Sequence, residues 1–308
     1  MSATQRGSLY VIAACMVWSC GTVAMKFYLN YLPAIPTAVI NALLASAIVF
    51  LFQPTLKSDV IAAWRRAPRK FLWFGLTGVG FGAVGYNLAL VHMPVSVAIS
   101  LVRLQPLFIL FLAAVWLKEK LQGSQFIFII AALCGTVFVL WPQLLPLFSQ
   151  DQKMDFWPLL FMAVSILGYA TVSVQGKALS NDGYRPAVLI ILRFGLGGLI
   201  CLPLLCLTPI ADYAAPWWAW ALVPCGAAFS TALGFMLYYR GLPYISASLA
   251  AFVEQASPLF TIILGTIILH EKLFTVQYIG AAVLVISMGM LGWLEHRARL
   301  IDEIVPEK

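Results

Sequence analysis

Residues 106–121 read PLFILFLAAVWLKEKL and residues 258–273 read PLFTIILGTIILHEKL, identical at 8 of 16 positions without a gap. The two stretches lie 152 residues apart in a chain of 308. An apolar segment that returns at this length and closes on the same Glu-Lys-Leu marks an internal duplication. The offset extends outward from the quoted stretch, aligning Gly82–Gln125 with Gly234–Gln277 without a gap.

Composition identifies the solvent in which the duplicated chain folds. It is 62% hydrophobic and 10% charged, with a mean hydropathy of +0.93, whereas soluble domains are roughly half apolar and a quarter charged. This is a membrane protein. About 20 apolar residues cross about 30 Å of hydrocarbon as a helix. Ten such spans can be marked off between polar or Pro-bearing joints: 9–28, 36–52, 71–90, 95–117, 125–141, 156–174, 187–207, 217–239, 246–269 and 277–294. The longest connections, 53–70 and 142–155, leave almost nothing for a soluble domain, so the function is expected inside the bundle. Arg6 precedes the first span, but that span outruns the apolar core of a signal peptide and no A-x-A site follows it. It is therefore read as a helix of the bundle.

Each copy of the duplication holds five spans. An odd number of crossings makes the second copy enter from the opposite side, so the halves are related by a two-fold axis in the membrane plane. The expected fold class is an all-α membrane protein with ten transmembrane helices, built as two inverted five-helix repeats over residues 1–145 and 146–308. Charge supplies the orientation. Of the basic residues behind the net charge of +7, one alternating set of connections holds 14, from Arg6 through the 57–70 segment to Lys308, while the other holds Lys153 and Lys272. By the positive-inside rule both termini are cytoplasmic, the first Glu-Lys-Leu is cytoplasmic and the second external. The basic excess thus orients the chain and calls for no nucleic acid.

The paired Pro-Leu-Phe segments, 106–108 and 258–260, run to Glu-Lys-Leu at 119–121 and 271–273, each after a Gly/Tyr-bearing span and a tight turn. In a ten-span chain this pattern resembles EamA-type members of the drug/metabolite transporter superfamily over roughly the whole length. The resemblance implies a ten-helix exporter of small metabolites. It also implies a central cavity lined mainly by spans one, three, four, six, eight and nine, with five and ten peripheral. Two departures stand out: His270 replaces Lys118 in the second copy, and Arg240 has Leu88 as its counterpart.

Ionic groups at membrane depth are costly and usually face a cavity or a partner. Arg103 lies eight residues into span four and Glu254 eight residues into span nine, about 12 Å deep at about 1.5 Å per residue. The two are expected to meet across the cavity, either touching substrate or a coupling proton, or locking the halves as a structural ion pair. Arg193 aligns with Asn41 at the same offset and is expected to snorkel toward the cytoplasm, with contact to substrate as the alternative; Lys26 and Lys177 are expected to snorkel as well. Around this layer Trp18, Tyr86, Asn87, Gln105, Tyr169, Gln175, Tyr238, Gln255 and Ser257 offer ring faces and hydrogen bonds to an organic ligand. Tyr86 and Tyr238 are repeat partners, as are Trp18 and Tyr169 if one gap is allowed. Taken singly, each aromatic is also explained by packing or by an interfacial belt.

Pro106 and Pro258 sit mid-helix, where each removes a backbone bond and kinks its helix. Symmetric placement makes them candidate bending points, and a static kink is the plain alternative. Glu119 with Lys120, and Glu271 with Lys272, end helices at opposite surfaces and are candidate gates. Glycines 75, 78, 82 and 85 form a stripe suited to close helix packing. Within it GFGAVG (80–85) matches the dinucleotide fingerprint but lies inside a span with no preceding strand, so the nucleotide reading is discarded.

An intramembrane enzyme would need a nucleophile and a base at depth, but His92, His270 and His296 fall at span ends, and LHEKLF lacks the second His of a zincin site. The six cysteines lie inside spans without CxxC spacing, so no metal, disulfide or cofactor is expected. Nothing suggests the oligomeric pore of a channel or the signalling domain of a receptor. The expectation is a multi-pass carrier of a bacterial-type inner membrane that exports a small organic solute by alternating access. Its partners are the substrate, the lipid bilayer and a coupling proton, and one chain suffices because the duplication already supplies two halves. Arg103 with Glu254 suits amino acids or related zwitterions. The alternative is a lipophilic cationic drug held by Glu254 and aromatic faces.

Overall fold

The computed structural model describes residues 2–28, 31–92, 101–119, 123–141, 156–269 and 274–304. All regular structure among them is helical, which satisfies backbone hydrogen bonds within each segment, as hydrocarbon demands. The long helices are α1 (Ala3–Tyr28), α2 (Ala34–Phe52), α3 (Pro68–Leu90), α4 (Gln105–Leu117), α5 (Gly123–Val139), α6 (Phe156–Asn181), α7 (Pro186–Leu207), α8 (Trp217–Tyr244), α9 (Ala247–Val253 continued by Ala256–Leu269) and α10 (Thr275–Ile304). Six of these, α2, α3, α6, α7, α8 and the part of α10 up to Leu294, are long and apolar enough to cross a membrane, while α4 and α5 are apolar but shorter.

Local chemistry sets the ends. Pro68 and Pro186 open their helices, where the missing N–H costs nothing. At the end of α6, Gly183 adopts φ +83°, and the amides of Gly183 and Tyr184 bond back to the carbonyls of Ser180 and Leu179. That left-handed cap favours glycine and turns the chain sharply into α7. α1 starts earlier and α10 ends later than their apolar spans, because a helix can continue past the hydrocarbon once its sequence turns polar.

The packing repeats itself. α1 lies on α8 and α9, and α6 lies on α3 and α4; α2 meets α7, α4 meets α9 and α5 meets α10. Exchanging each helix for its counterpart five along maps this set onto itself, as a two-fold relation between the halves requires. The closest approaches obey the same exchange. A Cβ on Gly82 would come within 2.7 Å of the Tyr169 ring, and one on Gly234 would strike the Trp18 indole. Absence of a side chain at both places lets α3 and α6, and α8 and α1, come together through a ring. α3 and α8 also carry wide, π-helical turns at Leu76–Val84 and Ala227–Leu233.

One face gathers the basic connections. Lys70 pairs with Asp182 at 3.3 Å and Arg185 with Asp59 at 3.0 Å, and Arg6 lies over the Tyr244 ring at 5.3 Å. Lys177 is buried rather than snorkelling: its ammonium donates to the Leu242 carbonyl at 2.7 Å, which supplies an acceptor nearer than the membrane surface. Outward, the bundle presents Leu51, Phe111, Ile127 and Ile267 to its surroundings, the inverse of a soluble surface. Phe52, Phe156 and Trp217 stand exposed at helix ends, where aromatic belts form.

Candidate functional site

A cavity of about 660 Å³ lies among α1, α2, α3, α6, α7 and α8. Its lining comes from the parts of these helices remote from the basic face: Met16 to Tyr28 of α1, Thr37 to Ala42 of α2, Gly78 to Asn87 of α3 and Leu222 to Phe235 of α8. Tyr169, Arg193 and Phe194 complete it. Most of the wall is apolar or aromatic. Among the described residues of the lining, Arg193 is the single charged one and none is a carboxylate.

Arg193 does not snorkel. Only 3% exposed, it donates from Nη1 to the Tyr239 hydroxyl at 2.7 Å. Its guanidinium carbon stands 4.4 Å from the centre of the Phe235 ring, 4.8 Å from Phe194 and 5.9 Å from Phe74. Three ring faces, one hydroxyl and the cavity replace the water that snorkelling would have reached. Gly78 makes the placement feasible, since a Cβ there would sit 2.6 Å from Arg193 Nε. That Nε has no hydrogen-bond partner among the described residues. Across the cavity Asn41, its repeat partner, accepts from Thr231 Oγ1 at 2.7 Å through Oδ1.

A second polar cluster lies where α4 and α9 cross. Both helices are interrupted one turn before their prolines, at Arg103–Leu104 and at Glu254–Gln255. Proline has no N–H to donate and crowds the carbonyl four residues back, so backbone acceptors are freed at each break. Gln255 Nε2 donates to the Arg103 carbonyl at 3.1 Å, and these two residues are repeat partners. α1 serves other acceptors. Cys15 Sγ lies 3.7 Å from the Val253 carbonyl and 3.8 Å from that of Glu254; Ser19 Oγ donates to the Ser257 carbonyl at 2.9 Å and meets Ser257 Oγ at 3.2 Å. The Tyr238 hydroxyl is placed between Glu254 and Ser173, and its ring packs with Trp18 at 5.5 Å.

Arg103 and Glu254 feel each other's charge but do not form an ion pair; the described pairs are Lys70–Asp182 and Arg185–Asp59. Arg103 Nε and Glu254 Oε1 are both buried without a hydrogen-bond partner. Of the residues singled out from sequence, Tyr86, Asn87 and Tyr169 line the cavity, and Asn87 is anchored through Nδ2 to the Ala34 carbonyl at 2.8 Å. Trp18, Arg103, Tyr238, Glu254, Gln255 and Ser257 belong to the second cluster. Gln105 begins α4 half-buried, and Gln175 accepts from Thr77 at 3.3 Å between α3 and α6. Pro106 is buried at the start of α4, and position 258 lies in the second part of α9.

Glu119 spans the basic face from the end of α4 to the start of α9. Its carboxylate accepts from the Ala247 amide at 2.7 Å, the Ser248 amide at 3.2 Å and Ser248 Oγ at 2.7 Å. Lys120, Glu271 and Lys272 lie outside the described residues, as does the Lys26 side chain.

The model of the EamA-like transporter family matches residues 5–141 and again 156–293. The chain belongs to this family. An uncharacterized transporter of Archaeoglobus fulgidus is 25% identical over 274 residues, 88% of this chain and 93% of the relative. The uncharacterized transporter YetK of Bacillus subtilis is 24% identical over 283 residues, 90% and 84%. A protein of Fusobacterium nucleatum named riboflavin transporter ImpX is 27% identical over 197 residues, 63% and 64%. A solved crystal structure superposes with TM-score 0.76 at 17% identity, covering 94% of this chain and 98% of its own, a likeness of fold. As an EamA-like protein the chain is a transporter and not an enzyme. Among the described residues its cavity lining includes α2 and α7, which the resemblance did not imply, and no residue of α4 or α9, which it did. The polar groups of α4 and α9 are turned instead toward each other and toward α1 at the paired breaks. The sequence reading singled out Arg193 and its offset partner Asn41 but favoured snorkelling for Arg193, and the contacts of Cys15 and Ser19 with the α9 carbonyls escaped it.

Proposed function

We propose that this transporter is an alternating-access exporter of small organic metabolites. In this reading ten crossings, arranged as inverted repeats over residues 1–145 and 146–308, rock about the α4–α9 junction in a bacterial-type inner membrane. The exchange symmetry of the helix contacts, with the cavity confined to one side of the junction, carries the proposal. The other side is closed by Glu119 on the first amides of α9, by Gly7 packed on Gly241, and by fully buried Leu242 and Ile245. If the basic face is cytoplasmic, the arrangement is outward-facing. Glu271, the repeat partner of Glu119, then closes the opposite face in the other state, with Lys120 and Lys272 at the matching helix ends and Pro106 and Pro258 as bending points.

Amino acids and related zwitterions are the substrate class that Arg103 and Glu254 favour, since each keeps one buried polar atom unmet. Glu254 would also be the carrier of a coupling proton. Lipophilic cations are the second reading, resting on Glu254 and the nearby rings of Tyr238 and Trp18. The test is thermal stabilisation of the purified protein by amino acids, nucleosides, vitamins including riboflavin, and quaternary amines, with counterflow in liposomes for each hit. Stabilisation by zwitterions that Arg103→Ala and Glu254→Gln both abolish supports the first reading. Stabilisation by cations alone, sensitive only to Glu254→Gln, replaces it with the second. Absence of counterflow for every stabilising solute refutes a self-sufficient carrier.

A further inference from the structure

We infer that the cavity is a carboxylate site in which Arg193 holds the acid group of the substrate, beside space for an apolar or aromatic body. This deepens the carrier reading and rests on it only in placing the site on the transport path. Three observations carry it. First, the charge in the wall is one-sided: among the described residues of the lining Arg193 is the single ionic one, and bringing a cation into that low-dielectric space beside it is unfavourable. Second, the guanidinium is half-used. Nη1 is committed to Tyr239 and Nε is buried against Gly78 without a hydrogen-bond partner among the described residues, so the donor left for an anion is Nη2, where a charge-assisted contact suits a carboxylate oxygen. Third, the guanidinium is held in place rather than free to leave. The rings of Phe235, Phe194 and Phe74 surround it, and its Nε side packs on glycine at position 78.

The rest of the wall fits the rest of such a molecule. Tyr28, Tyr86, Tyr169 and Phe229 offer faces to an apolar or aromatic body, and about 660 Å³ lies within the range of pockets that enclose ligands of drug size. Asn41 has its oxygen occupied by Thr231, so what it presents to a ligand is the amide N–H₂, again a donor. A primary ammonium finds no carboxylate in this lining. An α-amino group is therefore tolerated at most, and recognition lies in the acid.

Binding of four isosteric probes to the detergent-purified full chain tests this: 3-phenylpropionate, 3-phenylpropionamide, 3-phenylpropylamine and phenylalanine. The acid is expected to bind roughly tenfold or more tightly than the amide, the difference a charge-assisted contact makes, and the amine not at all. Arg193→Gln should bring acid and amide to equal affinity, whereas Arg193→Lys should keep a reduced preference for the acid. Should Arg193→Gln fail to fold, Gly78→Ala provides the readout, because a methyl there displaces the guanidinium and should weaken the acid more than the amide. Equal binding of acid and amide by the wild type overturns the inference, as does tighter binding of the amine, or binding of phenylalanine without 3-phenylpropionate. Acid binding without liposome transport would refute the carrier reading and leave this one intact; transport indifferent to the carboxylate would do the reverse.

Discussion

Removal of the Glu119 carboxylate is expected to open the basic face. The first turn of α9 begins with the amides of Ala247, Ser248 and Leu249, which have no intrahelical backbone acceptor. Ala247 and Ser248 donate to Glu119 and Leu249 to Ser246 Oγ at 3.0 Å, while Ala250 makes the first intrahelical bond, to the Ser246 carbonyl at 3.0 Å. Two of the three are thus served from beyond the end of α4, and Ala247 and Ser248 are buried. Glu119→Ala strands both amides and the Ser248 hydroxyl while the face is closed. At the low end of the range for an unmet buried donor, about 1 kcal/mol each, the closed state loses about 3 kcal/mol. At 1.4 kcal/mol per decade that is about a hundredfold shift toward opening; Glu119→Gln, which keeps one acceptor oxygen, should give about tenfold. Hydrogen exchange at 113–119 and 241–253 measures it, with Ser246→Ala as the comparison that costs about 1 kcal/mol in capping without touching α4. Faster exchange in both segments for the Glu119 variants, and in α9 alone for Ser246→Ala, is the expected pattern. Unchanged exchange at 113–119 in Glu119→Ala would reduce Glu119 to a helix cap and refute the latch.

Gly82→Ala and Gly234→Ala should each lower the melting temperature by a similar amount, since a methyl meets the Tyr169 ring in one half and the Trp18 indole in the other. Overpacking of this kind costs about 1–3 kcal/mol, and unchanged melting of both would contradict the close packing at the repeat-related rings. Asp182→Asn and Asp59→Asn should change melting little, because their ion pairs with Lys70 and Arg185 are largely exposed and such pairs are worth about 1 kcal/mol or less. A large loss from either would show that these contacts help to seal the basic face.

Much of the architecture was legible because hydrophobic period and repetition are local signals. The apolar span 36–52 ends with α2 and the span from 156 begins with α6, and the 152-residue offset anticipated which glycines, rings and helix breaks correspond. Tyr86, Asn87 and Tyr169 were found the same way, as polar or aromatic groups at depth. What misled was treating each ionic side chain by its distance from the membrane surface. Arg193 and Lys177 were assigned to snorkelling on that basis, yet each finds a nearer partner in Tyr239 or the Leu242 carbonyl. Arg103 and Glu254, equal in depth and opposite in sign, were expected to touch, and depth does not specify azimuth around the helix.

The sequence by itself determined the solvent, the helical content and the duplication, together with the grouping of basic connections that becomes one face of the bundle. These follow from composition and periodicity, which act along the chain. Only the tertiary structure decided that α2 and α7 wall the cavity, that the charge described in its lining is a guanidinium framed by three rings, and that Glu119 accepts from two of the first amides of α9. Those facts depend on which helix faces which and at what rotation. In a bundle held by small-residue contacts and shared hydrogen bonds, that choice is made between segments more than a hundred residues apart.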